Sequence, residues 1–131
     1  MTAISLEQAN GLVTVEVSGP PEDVRLTVTG EVDSSSAPLL RQQLDTVLDG
    51  QVAGITIDLG GVTFLDSAGL CVLAVAHRRS VAQKVELRVL ASSRAVIRPL
   101  QITGLWALLR VEHVEPPQAD PTPVRKEDSV A

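Results

Sequence analysis

Tyrosine is absent from the 131 residues, and Phe64 and Trp106 are the only aromatic side chains. The core must therefore be assembled from Val, Leu, Ile and Ala. So few rings also weigh against stacking on single-stranded nucleic acid. Cysteine occurs once, at Cys71, which excludes an internal disulfide and any zinc site built from thiolates. Cys71 sits in an apolar run, where a small core residue is expected rather than a reactive thiol. No stretch of about 18 apolar residues occurs, so no membrane-spanning helix is expected. The opening residues, MTAISLEQAN, carry neither a basic start nor a long apolar segment, and no secretory signal is read there. A cytoplasmic protein is the expectation.

Basic residues are outnumbered, giving a net charge of −5. The imbalance is local: residues 1–50 hold eight acids and two bases, whereas residues 51–115 hold five acids and seven bases. An acidic N-terminal half disfavours contact with a phosphate backbone, so no direct nucleic-acid partner is expected. It suits a solvated face or a partner with a basic surface. Catalytic signatures are missing too. There is no glycine-rich loop of P-loop spacing, no dinucleotide fingerprint and no G-x-S-x-G elbow. His77 and His113 stand far apart without acidic companions, so no metal or other cofactor is expected. An enzyme is not indicated.

What is present suits one globular domain: 44% hydrophobic and 21% charged residues. Leu12–Val17 and Val24–Thr29 alternate at period two and read as strands separated by the turn cluster Gly19-Pro20-Pro21-Glu22-Asp23. After Gly30, the segment Glu31-Val32-Asp33-Ser34-Ser35-Ser36 supplies several small polar caps. Pro38 then stands in the first turn of a helix whose Leu39, Leu40, Leu44, Val47 and Leu48 share helical spacing, with Gly50 closing it.

The centre of the chain is Ile55-Thr56-Ile57-Asp58-Leu59, a β-branched run that reads as a buried strand, broken at Gly60-Gly61. Val62 to Asp66 lead to Ser67, where a helix is expected to begin and run to about Arg79, with Arg78 and Arg79 complementing its dipole. Val85–Leu90 alternates as a further strand. A helix capped by Ser92-Ser93 follows through Leu100. Gly104 ends it, and Leu105–Leu109 forms a short apolar turn or helix docked on the sheet. Val111–Val114 adds a last strand. From Glu115 the chain is rich in Pro and charge and reads as a flexible tail. The expected division is a domain over 1–114 and a tail over 115–131. The order is roughly β-β-β-α-β-α-β-α-α. Helices separating successive strands imply crossovers and a partly parallel sheet, with helices covering mainly one face.

Ser67 has two compatible readings. It can cap the helix, worth about 1 kcal/mol. Its hydroxyl can also accept a phosphate at a helix start that tolerates anions. Ala68-Gly69 leave the first turn bare enough for another protein's active site to approach. Glu31, Asp33 and Asp66 would rim the same surface with negative charge. Asp33 reads either as a turn-capping residue or as a partner contact. Leu70, Val72 and Val75 lie on a helix apolar on nearly all sides, so one of its faces either meets a partner or is covered by neighbouring helices. Asp58, at a strand end, invites comparison with a phosphoaspartyl receiver. The paired acids after the first strand and the late lysine that such a receiver uses are not matched, and the plainer reading is a turn-bonding aspartate.

VTGEVDSSSAPLLRQQL, ITIDLGGVTFLDSAGLCVL and LQITGLWALLRV, in this order, resemble the STAS domain of bacterial anti-sigma factor antagonists. The resemblance covers about Leu12 to Val114, and its most specific part is Asp66-Ser67-Ala68-Gly69-Leu70. It implies a fold: an α/β domain with a mixed sheet of four or five strands and helices packed on one side. It implies a function: the unphosphorylated form binds an anti-sigma factor that is itself a serine kinase, and so frees a sigma factor for transcription. The resemblance places the phosphorylated serine at Ser67 and implies a phosphatase that restores the bare form. The resemblance matches the family's acidic residue before the first helix to Asp33 and the segment before the phosphorylated serine to Gly61 to Asp66. With the reading of the residues above, the expected partner surface comprises Glu31, Asp33, Ser34, Asp66, Ser67, Ala68, Gly69, Leu70 and Val72. At Ala68 the sequence departs from many relatives, which carry a second Ser or Thr there. A STAS module of another assembly, such as a stress-signalling complex or a lipid-transport accessory, is the alternative within the fold.

Overall fold

The computed structural model describes residues 6–9 and 13–115, and the tail expected beyond Glu115 lies outside them. The chain runs β1 (Leu6–Ala9), β2 (Val13–Ser18), β3 (Val24–Val32), α1 (Ala37–Asp49), β4 (Gly54–Leu65), α2 (Ser67–Gln83), β5 (Glu86–Ala91), α3 (Arg94–Thr103), α4 (Leu105–Leu108) and β6 (Glu112–His113). The strands form one sheet in sequence order. The first three are antiparallel, and β3 to β6 are parallel. The mixed α/β architecture is as expected, with six strands where four or five were anticipated. The additional one is β1, whose sequence LEQA lacks an alternating apolar pattern; its pairing with β2 (Leu6 opposite Val17, Ala9 opposite Thr14) is a backbone event.

Alternation along the strands decides which face is covered. Val24, Leu26, Val28 and Val32 of β3 are buried, while Arg25 and Thr29 between them are exposed. The buried set joins Leu40, Leu44 and Leu48 of α1, Leu73 and Ala76 of α2, and Val96 and Leu100 of α3 in one aliphatic cluster. Neither aromatic residue belongs to its fully buried part: Trp106 is half-buried and Phe64 is exposed. The opposite face is polar and carries two cross-strand ion pairs, Arg25–Asp58 (2.6 Å) and Arg88–Glu112 (3.0 Å). The helices thus shield one side of an open sheet, the economical arrangement when only one face is apolar.

Strand β4 corrects the sequence reading. It does not stop at Gly60-Gly61 but runs through to Leu65. Against β3, its register slips between Thr27 and Thr29 and again between Gly30 and Glu31. Each slip puts one extra residue into β4, as a β-bulge does. Each extra residue reverses which side chains face the core, so the buried apolar positions fall at Ile55, Ile57, Leu59, Val62 and Leu65. Gly61 sits at the first bulge because a side chain there would collide with Thr29, whose Cγ2 lies 2.5 Å from the Cβ position. Beyond Asp58 the strand has lost its pairing with β5. The hydroxyls of Ser92 and Ser93 donate instead to the carbonyls of Gly60 (2.9 Å) and Val62 (3.2 Å). These serines were expected to cap α3 with their side chains. Ser93 does hold the N-cap position, but both hydroxyls serve the bulged strand.

The two long helices are tied together. Arg79 of α2 donates to Asp45 (2.8 Å) and Asp49 (2.9 Å) of α1, so it acts across the helix pair rather than on its own helix's dipole. The Asp49 carboxylate, with the Asp45 charge behind it, raises the Arg79 pKa above its ordinary value. α2 continues past Arg79 to Gln83 and ends on Lys84 in the left-handed conformation (φ 60°).

Candidate functional site

Strands β3 and β4 are adjacent and parallel, so they deliver their chain exits side by side. Glu31 pairs with Phe64, and Val32 with Leu65. The Asp66 amide then donates to the Val32 carbonyl (3.1 Å). From one exit the chain turns through residues 33–36 into α1, and from the other it enters α2 directly. The carboxyl edge of parallel strands is where α/β folds gather functional groups. Here it brings Glu31, Asp33 and Ser34 beside Asp66, Ser67 and Ala68.

The first exit is organised by Asp33. One carboxylate oxygen, Oδ1, accepts from the Ser35 amide (2.9 Å), the Ser35 hydroxyl (2.8 Å) and the Ser36 amide (3.1 Å), with the Ser36 hydroxyl oxygen 3.2 Å away. The Ser36 hydroxyl is fully buried and also lies 2.7 Å from the Glu31 carbonyl, to which it donates. Asp33 is thus the turn-building residue, one of its two sequence readings. The Ser35 hydroxyl, aided by the Ser35 and Ser36 amides, holds its pKa below the ordinary carboxylate value against the opposing effect of partial burial. A lowered pKa means that this stabilisation is complete above the unfolded-state pKa and is lost as pH falls through the lower, folded one. We expect Asp33→Ala to melt below the wild type at neutral pH. The gap should close in acid as the wild-type carboxylate protonates, read by melting temperature against pH.

The second exit departs from expectation in an informative way. The N-cap of α2 is Asp66, not Ser67. Asp66 Oδ1 accepts from the amides of Ala68 (2.9 Å) and Gly69 (3.3 Å). Ser67 is the first helical residue. Its side chain is exposed, and its hydroxyl makes no hydrogen bond among the described residues. The acids around it have no ion-pair partner there either: Glu31, Asp33 and Asp66 take no part in any salt bridge among the described residues.

Other anticipated positions divide by burial. Ser34 is exposed, and Ala68 and Leu70 are half-buried. Gly69 and Val72 turn inward: Gly69 is buried and Val72 is 7% exposed. Gly69 therefore does have a packing reason. A Cβ built on it meets Leu65 and lies 2.8 Å from Val32 Cγ1. The bare first turn is a close approach of helix to sheet rather than an opening for a visitor. Cys71, expected in the core, is exposed. It lines a shallow groove of about 370 Å³ between the start of α1 (Ser34, Pro38, Arg41) and α2 (Ala68, Val75). Phe64, unassigned by sequence, is 46% exposed next to Glu31 on the same strand edge. Continuing the alternation of Ile55, Ile57 and Leu59 already turns position 64 away from the core, and the two bulges, each reversing the facing, leave that outcome unchanged.

Asp58 lies within β4 on the open face of the sheet. It is paired with Arg25, and its Oδ1 accepts from the Gly60 amide (2.9 Å). That is a local backbone-bonding role beside the bulge of a continuous strand. Among the described residues no group of three or more His, Cys, Asp or Glu is placed to hold a metal ion, and no helix is long and apolar enough to cross a membrane.

A mixed sheet with helices on one face, a capping aspartate and an exposed serine at the start of the helix after its central strand define a small α/β domain that displays a hydroxyl at a helix start. A family model described as "Mlab, STAS domain" matches residues 15–110. The chain belongs to the STAS-domain family. Among its relatives, an anti-sigma-B factor antagonist of Bacillus subtilis (strain 168) is 33% identical over 99 residues, covering 76% of this chain and 90% of that protein. The anti-sigma-F factor antagonist RsfB of Mycobacterium tuberculosis (strain H37Rv) is 31% identical over 99 residues, covering 76% and 80%. A crystal structure of an anti-sigma factor antagonist from Mycobacterium paratuberculosis superposes with a TM-score of 0.74 at 29% identity, covering 82% of this chain and 91% of that one.

Proposed function

We propose that this protein is an anti-sigma factor antagonist that works by binding, not by catalysis. Its unphosphorylated form docks on a serine-kinase anti-sigma factor in the cytoplasm and thereby releases a sigma factor. The kinase transfers the γ-phosphate of ATP to the Ser67 oxygen, the hydroxyl proton passing to a base of the kinase. The complex then separates, and a serine phosphatase restores the bare form. The observation that carries this reading is the Ser67 hydroxyl: exposed, unbonded among the described residues and seated at the first residue of α2. The names of the relatives support it.

The surroundings explain why a phosphate would act as an off-signal. It adds about −1.5 to −2 charge beside Asp66 and near Glu31 and Asp33, none of which is neutralised by an ion pair among the described residues. A surface that docks while moderately acidic becomes strongly repulsive, with no need for a rearranged fold.

The partner is tested by capture. Bare protein immobilised on a support should retain an ATP-binding anti-sigma factor from the source cell and lose it after addition of ATP. Recovery of a transporter subunit or a stress-complex subunit in its place would assign the chain to another STAS assembly. The acidic rim is tested at Glu31, whose exposed side chain makes no bond among the described residues, so that charge reversal leaves the Asp33 turn intact. Glu31→Lys should change the affinity about tenfold with an unchanged melt, as altering a rim charge does; an unchanged affinity would take Glu31 out of the interface.

A further inference from the structure

Asp66 and Ser67 are neighbours at one helix start, yet the Ala68 and Gly69 amides there are already committed, and the Ser67 amide alone makes no bond among the described residues. Asp66 Oδ1 holds the amides of Ala68 (2.9 Å) and Gly69 (3.3 Å), and the Asp66 carbonyl holds the amide of Leu70 (3.0 Å). First-turn amides are the groups to which an anion at a helix N-terminus ordinarily turns. Only the Ser67 amide is left for a second anion, and the amides of Ala68 and Gly69 are not. Gly69 is pressed against Leu65 and Val32, and the Asp66 amide is bonded to the Val32 carbonyl (3.1 Å).

We propose that Asp66 is the positioning residue of the switch: by occupying the amides of Ala68 and Gly69 it denies these two to a phosphate on Ser67. The phosphate then stands in solvent among the acidic side chains instead of folding back onto the helix. This inference rests on the reading of Ser67 as the phosphoacceptor. Its consequence is specific. A phosphate neutralised by amides would offer a docking partner a muted charge, whereas one held off by Asp66 presents nearly all of it. The same carboxylate thus caps the helix when Ser67 is bare and keeps the signal outward when it is modified.

The test needs neither kinase nor partner, so its failure is separable from failure of the proposed function. Phosphoserine is installed at position 67 during translation, and the amide resonances of Ala68 and Gly69 are followed by nuclear magnetic resonance together with the phosphorus titration. In the otherwise wild-type chain the two amides should hold their positions, and the second phosphate pKa should not fall below its ordinary value of about 6, because the neighbouring acids disfavour the dianion. Asp66→Asn retains an acceptor oxygen and should behave likewise at the amides. In Asp66→Ala the unphosphorylated protein should melt about 4 °C lower for want of its cap. Phosphorylation should then move both amides downfield, lower the phosphate pKa and restore the melt. Amides that shift on phosphorylation while Asp66 is present would overturn the inference, as would an Asp66→Ala phosphoprotein in which they stay still. If Asp66→Ala does not fold, the wild-type and Asp66→Asn amides decide: held positions on phosphorylation support the inference, and a downfield shift of both overturns it.

Discussion

Ser67→Asp is expected to weaken binding to the anti-sigma factor by about two orders of magnitude, close to 3 kcal/mol, while moving the melting temperature by no more than about 2 °C. Each half of this expectation has its own cause. The fold is indifferent because the Ser67 hydroxyl makes no hydrogen bond among the described residues, and the cap of α2 belongs to Asp66. An acid at the first helical position is moreover favoured by the helix dipole. The interface is sensitive because a new carboxylate would stand beside Asp66 and near Glu31 and Asp33, and like charges brought together at an interface cost several kcal/mol. Ser67→Ala should do the reverse, binding like the wild type while refusing phosphate. Calorimetric titration and a thermal melt on the same preparations read both halves. A melt that collapses in Ser67→Asp would make the residue mainly structural.

Gly69→Val should destabilise the domain by about 2–3 kcal/mol, as overpacking a tight contact does, and lower its melting temperature by roughly 10 °C. In an exposed helix interior, replacing glycine removes a penalty of about 1 kcal/mol. Here that gain is outweighed. A Cβ at Gly69 already meets Leu65 and stands 2.8 Å from Val32 Cγ1, and the two further methyls of valine have to enter the same contact. Because Val32 and Leu65 are the last residues of the paired strands β3 and β4, the strain falls on the platform that presents Ser67. A melt equal to or above the wild type would show that helix and sheet separate here without cost.

The elements that sequence patterns reveal best are those whose side chains alternate or recur against one continuous core. Val24–Thr29, Ile55–Leu59 and the leucines of α1 are of this kind, and each lies where its period places it. The misreadings share a different cause, since they turn on backbone bonds that composition does not encode. Gly60-Gly61 look like a break because glycine usually is one; in this fold they carry a bulge, and the strand continues. Leu6–Ala9 becomes a strand through pairing with β2 and not through its own pattern. Asp66 and Ser67 are both good caps, and nothing in their order says which will hold the amides. The outcome depends on Asp66 being the residue bonded to the Val32 carbonyl as β4 ends. Cys71 shows the limit of reading burial from neighbours, because Val72 and Leu73 beside it are buried while it faces solvent. For the site, the segment from Asp66 to Leu70 was legible as a unit. Its meeting with Glu31 and Asp33 needed the parallel adjacency of β3 and β4, whereas the exposure of Phe64 follows from the alternation begun at Ile55 once the strand continues past Gly61.

The account stands or falls on what one phosphate does to docking. The protein is phosphorylated by its anti-sigma factor with ATP, the modified residue is identified by mass spectrometry, and the bare and modified forms are titrated into the same anti-sigma factor. A single phosphate on Ser67, an affinity reduced a hundredfold or more and a superimposable thermal melt are the predicted result. Equal affinities for the two forms, or a phosphate carried elsewhere on the chain, would contradict it.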